Sequence, residues 1–221
     1  MLLKESVDAM NDKTSRLLAT LKLQTVVPVL VIDDARTAVP LARALVAGGL
    51  KAIEITLRTP AALEAIRLVA QEVEGAVAGA GTILNARNYD EAVEAGSQFI
   101  VSPGTTQELL DAARKSSVPL LPGAATSSEV MALREEGYDV LKFFPAEQAG
   151  GAAYLKSLSS PLAGTLFCPT GGISPENART YLSLPNVVCV GGSWVAPKAM
   201  VEAGDWDGIT RLASEAMLLA Q

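Results

Sequence analysis

The sequence of 221 residues contains no histidine. A zinc site with histidine ligands and a histidine general base are therefore both excluded. Cysteine is nearly absent as well: Cys168 and Cys189 are the only two, and their spacing is not that of a metal site. We interpret both as reduced thiols in the core. Any acid–base chemistry must come from Glu, Asp, Lys, Tyr or water.

Long apolar runs and basic stretches are also missing. No run reaches the roughly 18 apolar residues of a membrane span, and the opening residues MLLKESVDAMNDK lack the apolar core of a signal peptide. The formal net charge is -6 and no stretch is densely basic, so the chain has no cluster of positive charge to neutralise the phosphates of a nucleic acid. We expect a cytoplasmic protein that binds neither a membrane nor a nucleic acid.

What the sequence does have is a regular alternation of strand-like and helix-like patterns. Eight apolar runs recur every 20–26 residues. The segments between them repeat apolar residues at spacings of three and four, which is typical of helices. This alternation predicts a parallel α/β fold in one domain, residues 1–221. The runs begin at residues 25, 50, 76, 98, 118, 139, 165 and 186.

Within this class we predict a (β/α)8 TIM barrel with an extra N-terminal helix. An open flavodoxin-like sheet would have nearly continuous apolar strands, whereas several of these runs carry polar residues at alternate positions, such as Glu54 and Thr56. A closed barrel accommodates that pattern, because inward side chains near its top line a site. Residues 1–23 are predicted to form a helix across the lower end of the barrel.

The most unusual residue is Lys142, which interrupts the apolar run in DVLKFFPAE, residues 139–147. Burying an ammonium group disfavours its charged form, so the side chain either extends its amine to water or provides a neutral amine for chemistry. On a barrel strand Lys142 shares the inward face with Val140 and Phe144, which favours the second interpretation. A buried lysine facing a carboxylate is what Schiff-base chemistry on a carbonyl compound requires. Metal-dependent enolate chemistry is less attractive without histidine.

Three further strands end in groups that suit an anionic carbonyl compound. The second ends in EITLRT, where an acid, Glu54, lies below a cation, Arg58; a base beside an anion clamp and a structural ion pair both fit. After the third strand, Thr82 in GAGT either donates to a carboxylate or caps a turn. After the fourth strand, Pro103 shapes the loop.

Two double glycines predict a phosphate site. In many barrels a phosphate lies in the loops after strands seven and eight, held by glycine amides and a helix N-terminus. Gly171 and Gly172 follow the seventh predicted strand, and Gly191, Gly192 and Ser193 follow the eighth.

The motifs EITLRT, GAGT, SPG, LKFFPAE, CPTGGIS and GGSW, in this order, resemble those of the 2-keto-3-deoxy-6-phosphogluconate (KDPG) aldolases of the Entner–Doudoroff pathway. The resemblance covers the chain from about residue 25 onward. It implies a class I aldolase that reversibly cleaves KDPG to pyruvate and glyceraldehyde 3-phosphate, with 4-hydroxy-2-oxoglutarate (KHG) as a second substrate. It also implies a homotrimer that needs no metal or other cofactor, because the protonated imine is the electron sink.

The resemblance assigns a role to each site residue. Lys142 forms the imine with C2 of the substrate, and Glu54 moves the protons. The remaining residues bind substrate: Arg58 and Thr82 at the pyruvate carboxylate, Pro103 beside it, Thr170 along the chain, and Gly171, Gly172, Gly192 and Ser193 at the phosphate.

Three alternatives remain open at this point. One is an aldolase for the galactonate epimer of KDPG. The two substrates differ at one hydroxyl, which one or two side chains would distinguish. A phosphate-binding barrel with other chemistry would share the glycine loops but would not need Lys142. A catalytically silent scaffold is disfavoured, because Glu54, Arg58 and Lys142 would place costly charges inside the protein.

Overall fold

The computed structural model describes the backbone of residues 2–220 and the side chains of residues 12–219. In that part of the chain, ten α-helices and nine β-strands alternate over most of the length. None of the described helices is both long enough and apolar enough to span a membrane. The helices are α1 (Leu2–Leu21), α2 (Ala38–Ala47), α3 (Ala62–Glu72), α4 (Ala86–Glu94), α5 (Gln107–Lys115), α6 (Ser127–Glu135), α7 (Gly151–Leu158), α8 (Pro175–Leu182), α9 (Lys198–Ala203) and α10 (Trp206–Met217), with short 3-10 turns at Ala35–Thr37 and Leu218–Ala220. The strands are β1 (Val26–Leu30), β2 (Ala52–Thr56), β3 (Val77–Gly81), β4 (Phe99–Val101), β5 (Leu120–Leu121), β6 (Gly123–Ala124), β7 (Val140–Phe143), β8 (Leu166–Pro169) and β9 (Val190–Gly192).

Local sequence explains where the helices begin and end. The N-terminus of α6 carries a capping box in which the Thr126 hydroxyl accepts from the Glu129 amide and the Glu129 carboxylate accepts from the Thr126 amide. After α4 the chain turns through Gly96, whose φ of 99° lies in the left-handed region, and enters β4 three residues later. Such stops return each helix quickly to the next strand.

The strands form two parallel sheets. The larger has six strands in the order β5-β4-β3-β2-β1-β9, and the smaller has three in the order β6-β7-β8. In the larger sheet Glu54 of β2 lies opposite Val29 of β1 and Gly79 of β3. In the smaller sheet Lys142 of β7 lies opposite Gly123 of β6 and Cys168 of β8.

The predicted closed (β/α)8 barrel is wrong, because the hydrogen-bond ladder is interrupted in two places. The fifth predicted strand is divided at Pro122 into β5, which pairs with β4, and β6, which pairs with β7. Between β8 and β9 only isolated bridges remain, Phe167 with Val187 and Thr170 with Gly191. Proline has no amide hydrogen to donate. Pro122 lies at the first interruption and Pro169 lies between the two isolated bridges of the second.

Two apolar clusters fill the molecule. The larger lies between the strands and the surrounding helices. The smaller cluster contains residues of both sheets and of α1. Leu17 and Leu21 of α1 are buried in the same cluster as Ala52 and Val140, the first residues of β2 and β7. It includes Cys168 and Cys189, whose sulfur atoms are 3.5 Å apart and which are both free thiols, as the sequence indicated. Its buried members are Leu17, Leu21, Val27, Ala52, Phe99, Val101, Leu121, Val140, Cys168 and Cys189.

Candidate active site

Lys142 and Glu54 form a buried ion pair between the two sheets. Their residues are 5% and 3% exposed, so the amine of Lys142 does not extend to solvent. The Lys142 Nζ donates to the Glu54 Oε1 at 3.3 Å, a contact between residues 88 positions apart. Two buried charges are tolerated when each compensates the other, and the pair as a whole is neutral. A proton can cross this contact, which would leave a neutral, nucleophilic amine next to a protonated carboxyl group.

Glycine provides the space that the Glu54 carboxylate occupies. A Cβ added to Gly81, at the end of β3, would overlap the Glu54 Oε1 and lie 2.6 Å from both Cγ and Cδ. Only a glycine therefore lets the carboxylate lie across the neighbouring strand. On the other side of the pair, the ring centroid of Phe144 is 5.3 Å from the Lys142 Nζ, a cation–π distance.

Beyond the pair, Arg58 and Thr82 meet at the ends of β2 and β3. Arg58 is exposed on the turn after β2, and its Nε donates to the Thr82 Oγ1 at 3.1 Å. Thr82 has a φ of 59°, a left-handed conformation that is costly for a threonine and persists only where its surroundings enforce it. The alternation predicted that Thr56 lies on the same face of β2 as Glu54. Thr56 is fully buried, and its hydroxyl donates to the Leu30 carbonyl at 2.8 Å.

Pro103 packs against Gly123, which lies next to Lys142 in the smaller sheet. It is half-buried in the loop after β4. A Cβ on Gly123 would collide with the Pro103 carbonyl group, and Gly123 is the residue opposite Lys142 in the sheet. The loop after β4 therefore packs directly against the strand that flanks the amine.

The two glycine loops lie side by side after β8 and β9. Thr170, 7% exposed, follows β8 and donates its amide to the Phe143 carbonyl at 2.9 Å. It bridges to Gly191, where an added Cβ would be 2.9 Å from the Thr170 Cγ2. Gly171 and Gly172 then adopt left-handed φ values of 102° and 74°, and Gly171 packs against the Phe144 ring.

Gly192 and Ser193 form the second glycine loop, at the end of β9. Gly192 is buried beneath the Trp194 ring, which leaves no room for a Cβ. Ser193 is exposed at the rim of a cleft of about 820 Å³ between the end of β1 and α9. Of the residues predicted for the site, Glu54 and Lys142 thus lie within β2 and β7. The others lie at the last residue of a strand or in the loop that follows, the edge at which parallel sheets usually bind ligands.

Two residues near the glycine loops were missed by sequence reasoning. The Tyr181 hydroxyl on α8 donates to the Glu147 Oε1. Burial, with the Glu147 carboxylate beside it, raises the pKa of Tyr181, which keeps the hydroxyl protonated as a donor. Glu147 could have been noticed in LKFFPAE, but Tyr181 belongs to an ordinary amphipathic helix and carries no sequence signal. Among the described side chains, no cluster of three or more Cys, Asp and Glu residues is arranged to hold a metal ion.

Comparison with known protein families gives one extended match. The family described as KDPG and KHG aldolase matches residues 17–212, a range that contains all the site residues above. A 2-dehydro-3-deoxy-phosphogluconate aldolase of Pseudoalteromonas atlantica is 54% identical over 192 residues, which cover 87% of this chain and 89% of that protein.

Two solved structures are similar in both sequence and fold. A KDPG aldolase from Legionella pneumophila, with pyruvate captured at low pH as a covalent carbinolamine intermediate, is 44% identical with a TM-score of 0.88, covering 90% of this chain and 97% of that one. The 2-keto-3-deoxy-6-phosphogluconate aldolase of Zymomonas mobilis, with 3-phosphoglycerate, is 51% identical with a TM-score of 0.87, covering 91% and 94% of the two chains.

Proposed function

The chain belongs to the family of KDPG and KHG aldolases, and we propose that it cleaves KDPG reversibly to pyruvate and glyceraldehyde 3-phosphate by a class I, Schiff-base mechanism. The observation that carries this proposal is the buried contact of 3.3 Å between the Lys142 Nζ and the Glu54 carboxylate. One group supplies a nucleophilic amine and the other a proton acceptor at the same point, which is the minimum that imine chemistry requires.

The first half of the reaction forms the imine. Glu54 accepts a proton from Lys142, and the neutral amine attacks the C2 carbonyl of KDPG to give a carbinolamine. Glu54 then returns the proton to the C2 hydroxyl, which leaves as water, and a protonated imine remains on Lys142. The Phe144 ring, 5.3 Å from the Nζ, lies where it can stabilise the positive charge of this imine.

The second half breaks the C3–C4 bond. Glu54 takes the proton of the C4 hydroxyl, the C4 oxygen becomes the aldehyde of glyceraldehyde 3-phosphate, and the bonding electrons pass through C3 to the imine nitrogen. Glu54 then gives this proton to C3 of the resulting enamine, which becomes the pyruvate imine. Water then adds to C2 and releases pyruvate, which restores the Lys142 amine.

The surrounding residues hold the two ends of the substrate. Arg58 keeps the terminal nitrogens of its guanidinium available for the pyruvate carboxylate while its Nε donates to Thr82. Pro103 packs beside that carboxylate, and Thr170 contacts the substrate chain. The phosphate lies against the glycine loops after β8 and β9, at Gly171, Gly172, Gly192 and Ser193.

Two relatives support the proposed chemistry. The Legionella protein holds pyruvate as a covalent carbinolamine, the species expected on the way to an imine. The Zymomonas protein holds 3-phosphoglycerate, a three-carbon phosphate like the proposed product. The name of the family includes KHG as well as KDPG, and we propose KHG as a second, unphosphorylated substrate.

We further propose that the chain is one domain, assembles as a homotrimer and works in the cytoplasm without a cofactor. The single domain and the cytoplasmic location are inferred from the composition and patterning of the sequence, and the trimer and the lack of a cofactor from the motif resemblance. Size-exclusion chromatography with light scattering would test the trimer, and a mass of one or two chains would contradict it.

The function is tested by mixing the purified protein with KDPG and following pyruvate with lactate dehydrogenase and NADH. We expect pyruvate and glyceraldehyde 3-phosphate in equal amounts, and no release from a folded Lys142→Ala variant. The galactonate epimer is assayed in parallel, and a higher kcat/KM for that epimer would reassign the substrate. A folded protein that releases no pyruvate from either compound would refute the proposal.

A further inference from the structure

The conformation of the glycine loop after β8 is fixed from outside the loop. The Gly171 carbonyl accepts from the Glu147 amide at 3.1 Å, and the Gly172 carbonyl accepts from the Asn177 Nδ2 at 3.0 Å. A trans peptide unit is planar, with its carbonyl and its N–H pointing in opposite directions. Fixing these two carbonyls therefore aims the amides of Gly172 and Ile173 the other way. Neither of these amides donates to another backbone group in the described chain.

Glu147 packs directly against this loop. Besides its amide bond to Gly171, its side chain packs on Gly172, where an added Cβ would lie 2.6 Å from the Glu147 Cγ. Glu147 itself is exposed. A carboxylate in this place is unfavourable for a phosphate site, because an unrestrained negative charge would repel the ligand.

Tyr181 restrains that carboxylate. Its ring is 1% exposed, fixed in α8, and its hydroxyl donates to the Glu147 Oε1. A hydrogen bond to an ionised acceptor is short and strong, and it both shares the charge and fixes the direction of the side chain. Because the pKa of Tyr181 is raised, the hydroxyl stays a donor throughout the physiological range.

We propose that Tyr181 and Glu147 form a positioning pair that keeps the loop of Gly171 and Gly172 receptive to a phosphate, and that this pair sets the preference for phosphorylated over unphosphorylated keto acids. The proposal rests on the proposed function, since it takes KDPG and KHG as the two substrates. Neither residue touches the reacting atoms, so the pair acts on binding of the phosphate and not on the imine chemistry.

The test compares KM and kcat for KDPG and KHG in Tyr181→Phe. Loss of the hydroxyl frees a charged carboxylate beside the loop, and we expect KM for KDPG to rise about tenfold, the scale of one lost hydrogen bond to a charged group. The kcat for KDPG and both constants for KHG should stay near their wild-type values. The matched control is Tyr89→Phe, which removes another buried tyrosine hydroxyl, one that donates to the Val118 carbonyl at 2.6 Å and lies away from the glycine loops.

Two further variants separate positioning from a general structural effect. Glu147→Asp keeps the charge at an exposed residue but is one methylene too short to reach Tyr181, so it should reproduce the rise in KM even if Tyr181→Phe folds poorly. The double variant Tyr181→Phe with Glu147→Gln removes the free charge and should restore KM for KDPG.

The outcomes are distinct. A KM for KDPG that changes by the same factor as that for KHG, or that does not change, overturns the positioning pair while wild-type cleavage of KDPG stands. Failure of the double variant to restore KM overturns the role of the Glu147 charge. Absence of KDPG cleavage by the wild-type protein overturns the proposed function and, with it, this inference.

Discussion

Replacing Gly81 with alanine tests whether the position of the Glu54 carboxylate matters. The backbone at Gly81 has no left-handed φ, so alanine adopts it without strain. Its Cβ would, however, lie 2.6 Å from the Glu54 Cγ and Cδ and would overlap Oε1, where ordinary contact begins at 3.4 Å. The carboxylate must therefore move by roughly 1 Å, and a displacement of that size costs about 10²-fold in rate. That factor corresponds to ~2.7 kcal/mol of transition-state stabilisation.

Overpacking will also reduce the free energy of unfolding, by about 1–3 kcal/mol. Gly79→Ala provides the matched control, because it makes the same substitution two residues earlier on β3 and its Cβ would collide with the buried Phe99 ring instead of the carboxylate. Urea unfolding measures the stability of each variant, and kcat for KDPG cleavage is then compared between variants of similar stability.

We expect Gly81→Ala to lose far more activity than Gly79→Ala for the same loss of stability. If a folded Gly81→Ala variant has the same kcat as the Gly79→Ala variant, the Glu54 carboxylate does not need its position over β3. That result would refute the reasoning that joins the Lys142–Glu54 contact to catalysis.

The remaining predictions concern proton transfer and phosphate binding. Glu54→Gln should slow exchange of the pyruvate methyl protons with deuterium oxide, followed by proton NMR, by ~10²-fold or more, the usual contribution of a general base. Unchanged exchange would remove Glu54 from that role. Ser193→Asp places a negative charge at the exposed rim of the glycine loops and should raise KM for KDPG far more than KM for KHG. Equal increases for the two substrates would place the phosphate elsewhere.

The strands were predictable because their signals are local. Each of the eight predicted runs contains at least one observed strand, since apolar alternation and a glycine stop depend on neighbours in sequence. Closure of the sheet depends instead on whether every strand finds a complete partner. Pro122 and Pro169 cannot donate to a ladder, and counting apolar runs gave their positions no weight, so a closed barrel was predicted where the structure has two sheets.

The site was predictable to a similar extent. Alternation placed Glu54 and Lys142 on inward faces, and the structure brings them within 3.3 Å across 88 residues of sequence. The alternation did not distinguish the surroundings of Glu54 from those of Thr56. Only the folded chain shows that the Thr56 hydroxyl donates to the Leu30 carbonyl. Tyr181 was missed for the same reason: its proposed role depends on a partner 34 residues away that an amphipathic pattern does not specify.

The most direct test of the central claim is to incubate the protein with pyruvate and sodium borohydride and to locate the adduct by peptide mass spectrometry. Borohydride reduces an imine to a stable secondary amine, so a reduced pyruvyl group on Lys142, absent in Lys142→Ala, is the predicted result. A folded protein that gains no adduct, or gains one on another lysine, would contradict the Schiff-base account.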